Sequence, residues 1–238
     1  MVKKWGDLIH WAMLLLFDID GTLMLRASRA HAEAIHAALR RVHHLSAIPE
    51  GKIEAAGRTD DAIARSILTL AGVSAERIDE RVHEVRAQAC AEYAHRCPAD
   101  LGEHVAPGAV ELLEQLSSRD DVQLSLVTGN LECVARRKLE AGGLGRFFPA
   151  GQGAFGSDSE DRSDLPAIAR ARAGGVSAQQ TVIIGDTPLD IACARADGVH
   201  CIAISTGPFR ATDLHGADVV IDMLREVPAA LARIPGLT

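Results

Sequence analysis

Apolar residues along the chain fall into two kinds of pattern. Short, mostly apolar runs, "MLLLF" over 13–17, "VQLSLV" over 122–127, "TVIIG" over 181–185, "HCIAIS" over 200–205 and "DVVI" over 218–221, have the length and apolar character of strands buried on both faces. Between them the repeat lengthens to that of amphipathic helices, at 131–141, 164–173, 188–196 and 224–233. The stretch between the first two runs differs. Ala-rich amphipathic patterns over 28–44, 59–71 and 75–97 predict three helices, with Thr59 and Ser74 as N-caps, and no convincing strand.

Alternating strands and helices imply an α/β fold, a Rossmann-like parallel sheet wrapped by helices. The expected division is a core of residues 12–25 and 105–238, interrupted by an all-helical insert over 26–104. Residues 1–11 read as an N-terminal extension without assigned function, and the Gly- and Ser-rich "AGQGAFGSDSEDRSD" over 150–164 reads as a loop.

Composition narrows the classes. With 47% hydrophobic and 24% charged residues, the 238-residue chain has the make-up of a globular protein with a real core. A net charge of −7 and few stacking side chains (two Trp, one Tyr, five Phe) argue against nucleic acid. No apolar run approaches the roughly 18 residues of a membrane span. Asp7 and His10 interrupt the start of the chain and Asp18 ends its apolar run, so no signal peptide is expected. Five scattered cysteines without a CxxC pair predict a reduced, cytoplasmic protein.

Open parallel sheets bind ligands at the carboxyl ends of their strands, so the residues just after each apolar run carry the functional information. "MLLLF" ends in Asp18-Ile19-Asp20-Gly21-Thr22, "VQLSLV" in Thr128-Gly129-Asn130, and "TVII" in Gly185-Asp186-Thr187-Pro188-Leu189-Asp190. Turn formation explains any one of these; all three together suggest a shared pocket. Clustered carboxylates demand a cation, and carboxylate and carbonyl oxygens favour Mg²⁺ bridging to a phosphate. Asp18 is then placed as nucleophile. Asp20, two residues on and on the same side of an extended chain, can protonate a leaving oxygen and later activate water. The Thr128 hydroxyl and the amides opening the next helix would hold phosphate oxygens.

"FDIDGTL", "VTGN" and "GDTPLD" resemble three motifs of the haloacid dehalogenase superfamily. The helical insert followed by "APGAVELLEQL" is similar to the cap of its phosphoglycolate phosphatase and β-phosphoglucomutase branch. The resemblance implies a Mg²⁺-dependent phosphatase acting on a small phosphomonoester through an aspartyl-phosphate. It implies metal contacts from Asp18, the Asp20 carbonyl and Asp186, supported by Asp190, and phosphate contacts from Thr128, Gly129 and Asn130. Two departures stand out. The family's third motif supplies a lysine, yet the only lysines are Lys3, Lys4, Lys52 and Lys138; Arg162 in "SEDRSDL" is the positional match. Where many relatives have Asp-Ser after "GTL", this chain has "MLRAS", with Leu25 and Arg26. In the cap, "AAGRTDDAI" resembles the loop that faces substrate, and Arg58 is the candidate for specificity. His31, His36, His43 and His44 read as surface or packing residues.

A phosphomutase shares the core motifs and is the alternative. A dehalogenase has no use for the acid at Asp20, because halide leaves without a proton. A receiver-like signalling module also gathers acidic groups at strand ends but lacks so large an insert.

Overall fold

The computed structural model describes residues 13–51 and 53–237, so the expected extension over 1–11 lies outside the described residues. Six strands, β1 (Met13–Phe17), β2 (Val122–Thr128), β3 (Ala154–Phe155), β4 (Thr181–Gly185), β5 (His200–Ile204) and β6 (Val219–Ile221), form one sheet in the order β3-β2-β1-β4-β5-β6. Every pairing is parallel. The strand β3 falls inside the stretch expected to be loop. It is two residues long, pairing Ala154 with Val127 and Phe155 with Thr128, too short for any periodicity to register in sequence.

The continuous apolar runs arise because both faces of the sheet are covered. In β1, Met13, Leu15 and Phe17 join one core cluster while Leu14 and Leu16 join another. The first cluster packs helices α4 (Ala109–Ser117), α5 (Glu132–Ala141) and α8 (Val227–Leu231); the second packs α6 (Leu165–Arg172) and α7 (Pro188–Asp197). The strand order reverses direction between β1 and β4, which opens a crevice at their carboxyl ends.

The cap consists of α1 (Arg29–His43), α2 (Asp60–Leu70) and α3 (Ala75–Arg96) around a third cluster that includes Ala34, Leu39, Ile67, Ala89 and Tyr93. Thr59 accepts from the Ala62 amide and Ser74 from the Arg77 amide, the N-caps expected from sequence. Leu131 and Val134, at the start of α5, belong to this cap cluster, so the cap packs on the core through α5. The same contact carries a disulfide between Cys90 of α3 and Cys133 of α5. The expectation of five reduced cysteines is therefore corrected. The two sulfurs stand 43 residues apart in sequence, and only the packing of α3 on α5 brings their Cα atoms to 5.8 Å.

Candidate active site

Strand register brings the chemistry to one edge. Phe17 lies opposite both Leu126 and Ile184, and the Asp18 amide donates to the Ile184 carbonyl at 2.9 Å, so Asp18, Thr128 and Asp186 emerge side by side. They line one cavity of about 1170 Å³ together with Asp20, Gly129, Asn130, Arg162 and Arg58. Its cap side mixes five isoleucines, Ile35, Ile48, Ile53, Ile63 and Ile67, with polar and charged residues such as His36, Glu50 and Arg58.

After β1 the chain folds tightly back, with Gly21 donating to the Met24 carbonyl at 2.8 Å. Gly21 has φ +89°, and a Cβ there would lie 2.2 Å from Asp186 Oδ2, so this position excludes any side chain. Thr22 Oγ1 donates to Asp186 Oδ1 at 3.2 Å. At the start of α7, Asp190 forms a capping box with Thr187: one carboxylate oxygen accepts from the Thr187 amide at 3.0 Å and hydroxyl at 2.7 Å. Its other oxygen accepts from Arg162 Nη2 at 2.5 Å. Both Asp190 oxygens thus have protein partners, which makes this residue a brace within the cluster.

Asp18, Asp186 and Asp190 are buried, and each offers an oxygen within 4.8 Å of the others. Burial pushes the Asp18 carboxyl up to about 7; the Arg162 charge opposes this while Asp190 and Asp20 add to it. Burial, then the charges of Asp18 and Asp190, push Asp186 up to about 8. Arg162 Nη2 is 3.3 Å from Asp18 Oδ1, and this one guanidinium serves both Asp18 and Asp190. The set remains short of positive charge. An all-oxygen donor group, with Asp186 Oδ2 facing Gly21, fits a hard divalent cation such as Mg²⁺.

Asp20 has a separate environment. Lys138 Nζ contacts its two oxygens at 2.8 and 2.6 Å, and Asn130 Nδ2 donates to Oδ2 at 2.9 Å. Burial raises the Asp20 carboxyl, but the Lys138 charge, His31 and these hydrogen bonds outweigh it and hold the group below the ordinary carboxylate range. Lys138 is fully buried and also meets Asn130 Oδ1 at 2.9 Å and His31 Nδ1 at 3.2 Å. His31 Nε2 lies 2.9 Å from Asp60 Oδ2.

These contacts revise three expectations. His31 is a buried member of the polar network, not a packing or surface residue. Asn130, expected at phosphate, has its amide engaged by Asp20 and Lys138. The amides opening α5, also expected there, have protein acceptors: Asn130 N donates to Thr128 Oγ1 at 3.4 Å, Leu131 N to Asp60 Oδ2 at 2.7 Å and Glu132 N to Ser157 Oγ at 3.3 Å. A cap carboxylate, Asp60, thus occupies the positive end of a core helix. Sequence reasoning missed Lys138 and His31 despite a usable signal. Each interrupts an apolar stripe, Lys138 beside Val134, Ala135 and Leu139, and His31 beside Ala34, Ile35 and Ala38.

The loop carrying Arg58 sits on the core. Asp60 N donates to the Gly129 carbonyl at 2.8 Å, Arg162 Nη1 to the Gly57 carbonyl at 3.0 Å, and Thr59 Oγ1 to the Glu160 carbonyl at 2.7 Å. A Cβ on Gly129 would meet the Arg58 carbonyl oxygen at 2.1 Å, so glycine permits this approach. The Arg58 guanidinium donates to the carbonyls of Glu54 and Ala62 and to Ser66 Oγ, bracing its own loop.

Known proteins resemble this chain in sequence and in fold. The family signature of haloacid dehalogenase-like hydrolases matches residues 15–195. A phosphoglycolate phosphatase from Rhodospirillum rubrum is 32% identical over 202 residues, covering 81% of this chain and 79% of its own. One from Pseudomonas syringae is 28% identical, covering 92% and 79%. Among solved structures, a β-phosphoglucomutase from Clostridium difficile superposes with a TM-score of 0.67 at 14% identity, covering 94% of this chain and 96% of that one. CbbY from Rhodobacter sphaeroides, in complex with phosphate, gives 0.61 at 16%, covering 92% and 98%. The chain belongs to the haloacid dehalogenase-like hydrolases, in the phosphoglycolate phosphatase and β-phosphoglucomutase-like branch.

Proposed function

We propose that the protein is a Mg²⁺-dependent phosphatase that hydrolyses a small phosphomonoester through an aspartyl-phosphate on Asp18. The observation that carries this reading is the buried group of Asp18, Asp186 and Asp190, the first two raised in pKa and the three sharing one arginine, with Asp18 and Asp186 in the same cavity as Thr128 and Arg162. Asp18 and Asp186, with the Asp20 main-chain carbonyl, would hold the metal, which when bound supplies positive charge to the carboxylates and the phosphate. Asp20, ionised in the free protein, takes up a proton as the anionic phosphate enters beside it. Asp18 then attacks phosphorus and the ester bond breaks as Asp20 gives that proton to the leaving oxygen. Asp20 then takes a proton from water, which attacks the phosphorus and frees Asp18. Arg162 and Thr128 stabilise charge on the transferring group.

The cavity exceeds what a two-carbon leaving group fills, and its cap side offers both apolar contact from five isoleucines and polar or charged groups such as His36, Glu50 and Arg58 to a larger substrate. A panel of phosphomonoesters, from phosphoglycolate through sugar phosphates to bulkier alkyl and aryl phosphates, assayed with Mg²⁺ and with chelator, tests the reading. Turnover that chelation abolishes is expected. Full turnover in metal-free protein would remove it, and recovery of an isomeric sugar phosphate in place of free phosphate would reassign the enzyme as a mutase.

A further inference from the structure

We propose that Lys138 is a positioning residue for the proton-transfer step, holding the Asp20 carboxylate in its working orientation while the cap residue His31 holds Lys138. The inference rests on the phosphatase reading and on Asp20 as its acid. Lys138 reaches two Asp20 oxygens, Asn130 Oδ1 and His31 Nδ1, so its three ammonium protons are fully committed among three residues. With no solvent exposure, it acts through its partners and not by contact with substrate.

The network leaves Asp20 little freedom. Asn130 donates to Asp20 with one end of its amide and accepts from Lys138 with the other, which closes a ring of three side chains around the carboxylate. Because Lys138 can only donate, His31 Nδ1 accepts, and its Nε2–H points to Asp60 Oδ2. His31 and Asp60 stand in the first turns of α1 and α2, both in the cap, whereas Lys138, Asn130 and Asp20 belong to the core. The orientation of the acid is thereby tied to the seating of the cap.

A purely structural role accounts poorly for this lysine. Val134, Ala135 and Leu139 surround its helical position with apolar packing, and an aliphatic side chain there would avoid the cost of burying an ammonium. The charge is useful where it is because Asp20 is. A general acid must be held close to its productive geometry to be effective.

The test compares phosphorylation of the enzyme in single turnovers by 4-nitrophenyl phosphate, whose leaving group needs no proton, and by an alkyl phosphate, whose leaving group does. Lys138→Met, similar in length and uncharged, is expected to lose about 10²-fold on the alkyl ester and less than about tenfold on the aryl ester. Combining it with Asp20→Asn should cost nothing beyond Asp20→Asn alone. Equal losses on both esters, or a further loss in the double variant, would overturn the inference. If Lys138→Met does not fold, His31→Gln replaces it, with an expected loss of roughly three- to tenfold biased towards the alkyl ester; absence of that bias overturns the inference. A parent inactive on all phosphomonoesters overturns the phosphatase reading and this inference with it. A parent active on both esters isolates the outcome to Lys138.

Discussion

Arg162 Nη2 lies 3.3 Å from Asp18 Oδ1, a contact between two side chains only 8% and 5% exposed. The same nitrogen meets Asp190, so one arginine offsets two buried carboxylates at the position where the family pattern places a lysine. Arg162→Ala should lose on the order of 10² in kcat/KM, and Arg162→Lys should recover part of it. The uncompensated carboxylates should also cost about 3 kcal/mol of stability in metal-free protein. Steady-state kinetics and thermal unfolding check both, and an Arg162→Ala enzyme as active as the parent removes the arginine from the site.

The same carboxylates set a pH dependence. In metal-free protein Asp18 and Asp186 are raised from 3.8 to about 7 and about 8, so the folded state holds more protons than the unfolded state in that window. Their contribution to stability is present below the ordinary value and is lost as pH rises through the raised ones. Asp20, which is lowered, acts oppositely: its contribution is present above 3.8 and is lost as pH falls. The rise in melting temperature on adding Mg²⁺ should therefore grow from weakly acidic to weakly alkaline pH. A Mg²⁺ effect that shrinks over that range contradicts the proposed ligands.

Asp18→Asn should abolish turnover and the covalent intermediate. Acid quenching during reaction with radiolabelled substrate should recover label on the parent and none on the variant. Label on Asp18→Asn would assign the nucleophile elsewhere.

Arg58 braces the loop that seats on Gly129, because its donors meet Glu54, Ala62 and Ser66. Arg58→Ala should raise KM roughly three- to tenfold across the substrate panel as that loop loosens. A loss confined to substrates with a distal anion would instead show direct recognition by the guanidinium.

The Cys90–Cys133 disulfide closes a 43-residue separation between cap and core. By chain entropy it contributes on the order of 4 kcal/mol, so a reductant or Cys90→Ser should lower the denaturation midpoint accordingly. In native oxidised protein a thiol reagent should modify half-buried Cys97 well before buried Cys193 and Cys201. Five titrating thiols without reductant would show the bridge absent.

The alternation of strands and helices is legible along the chain, because runs such as "LLLF" must be covered on both faces and amphipathic helices are what cover them. Sequence position also places Asp18, Thr128 and Asp186 at one edge of the sheet, since residues at the carboxyl ends of parallel strands emerge on the same side; that they meet depends on β2, β1 and β4 being neighbours, which long-range pairing settles. The Asp190 cap was local too, three residues from Thr187. The partners of Asp20 come instead from long-range packing. Lys138 and Asp20 are 118 residues apart and Lys138 and His31 are 107 apart, and no local rule relates them. Side-chain periodicity reveals that a polar residue falls on a buried stripe; which charge meets it there depends on how the cap packs against α5, a long-range arrangement that fixes the polar network and the disulfide together.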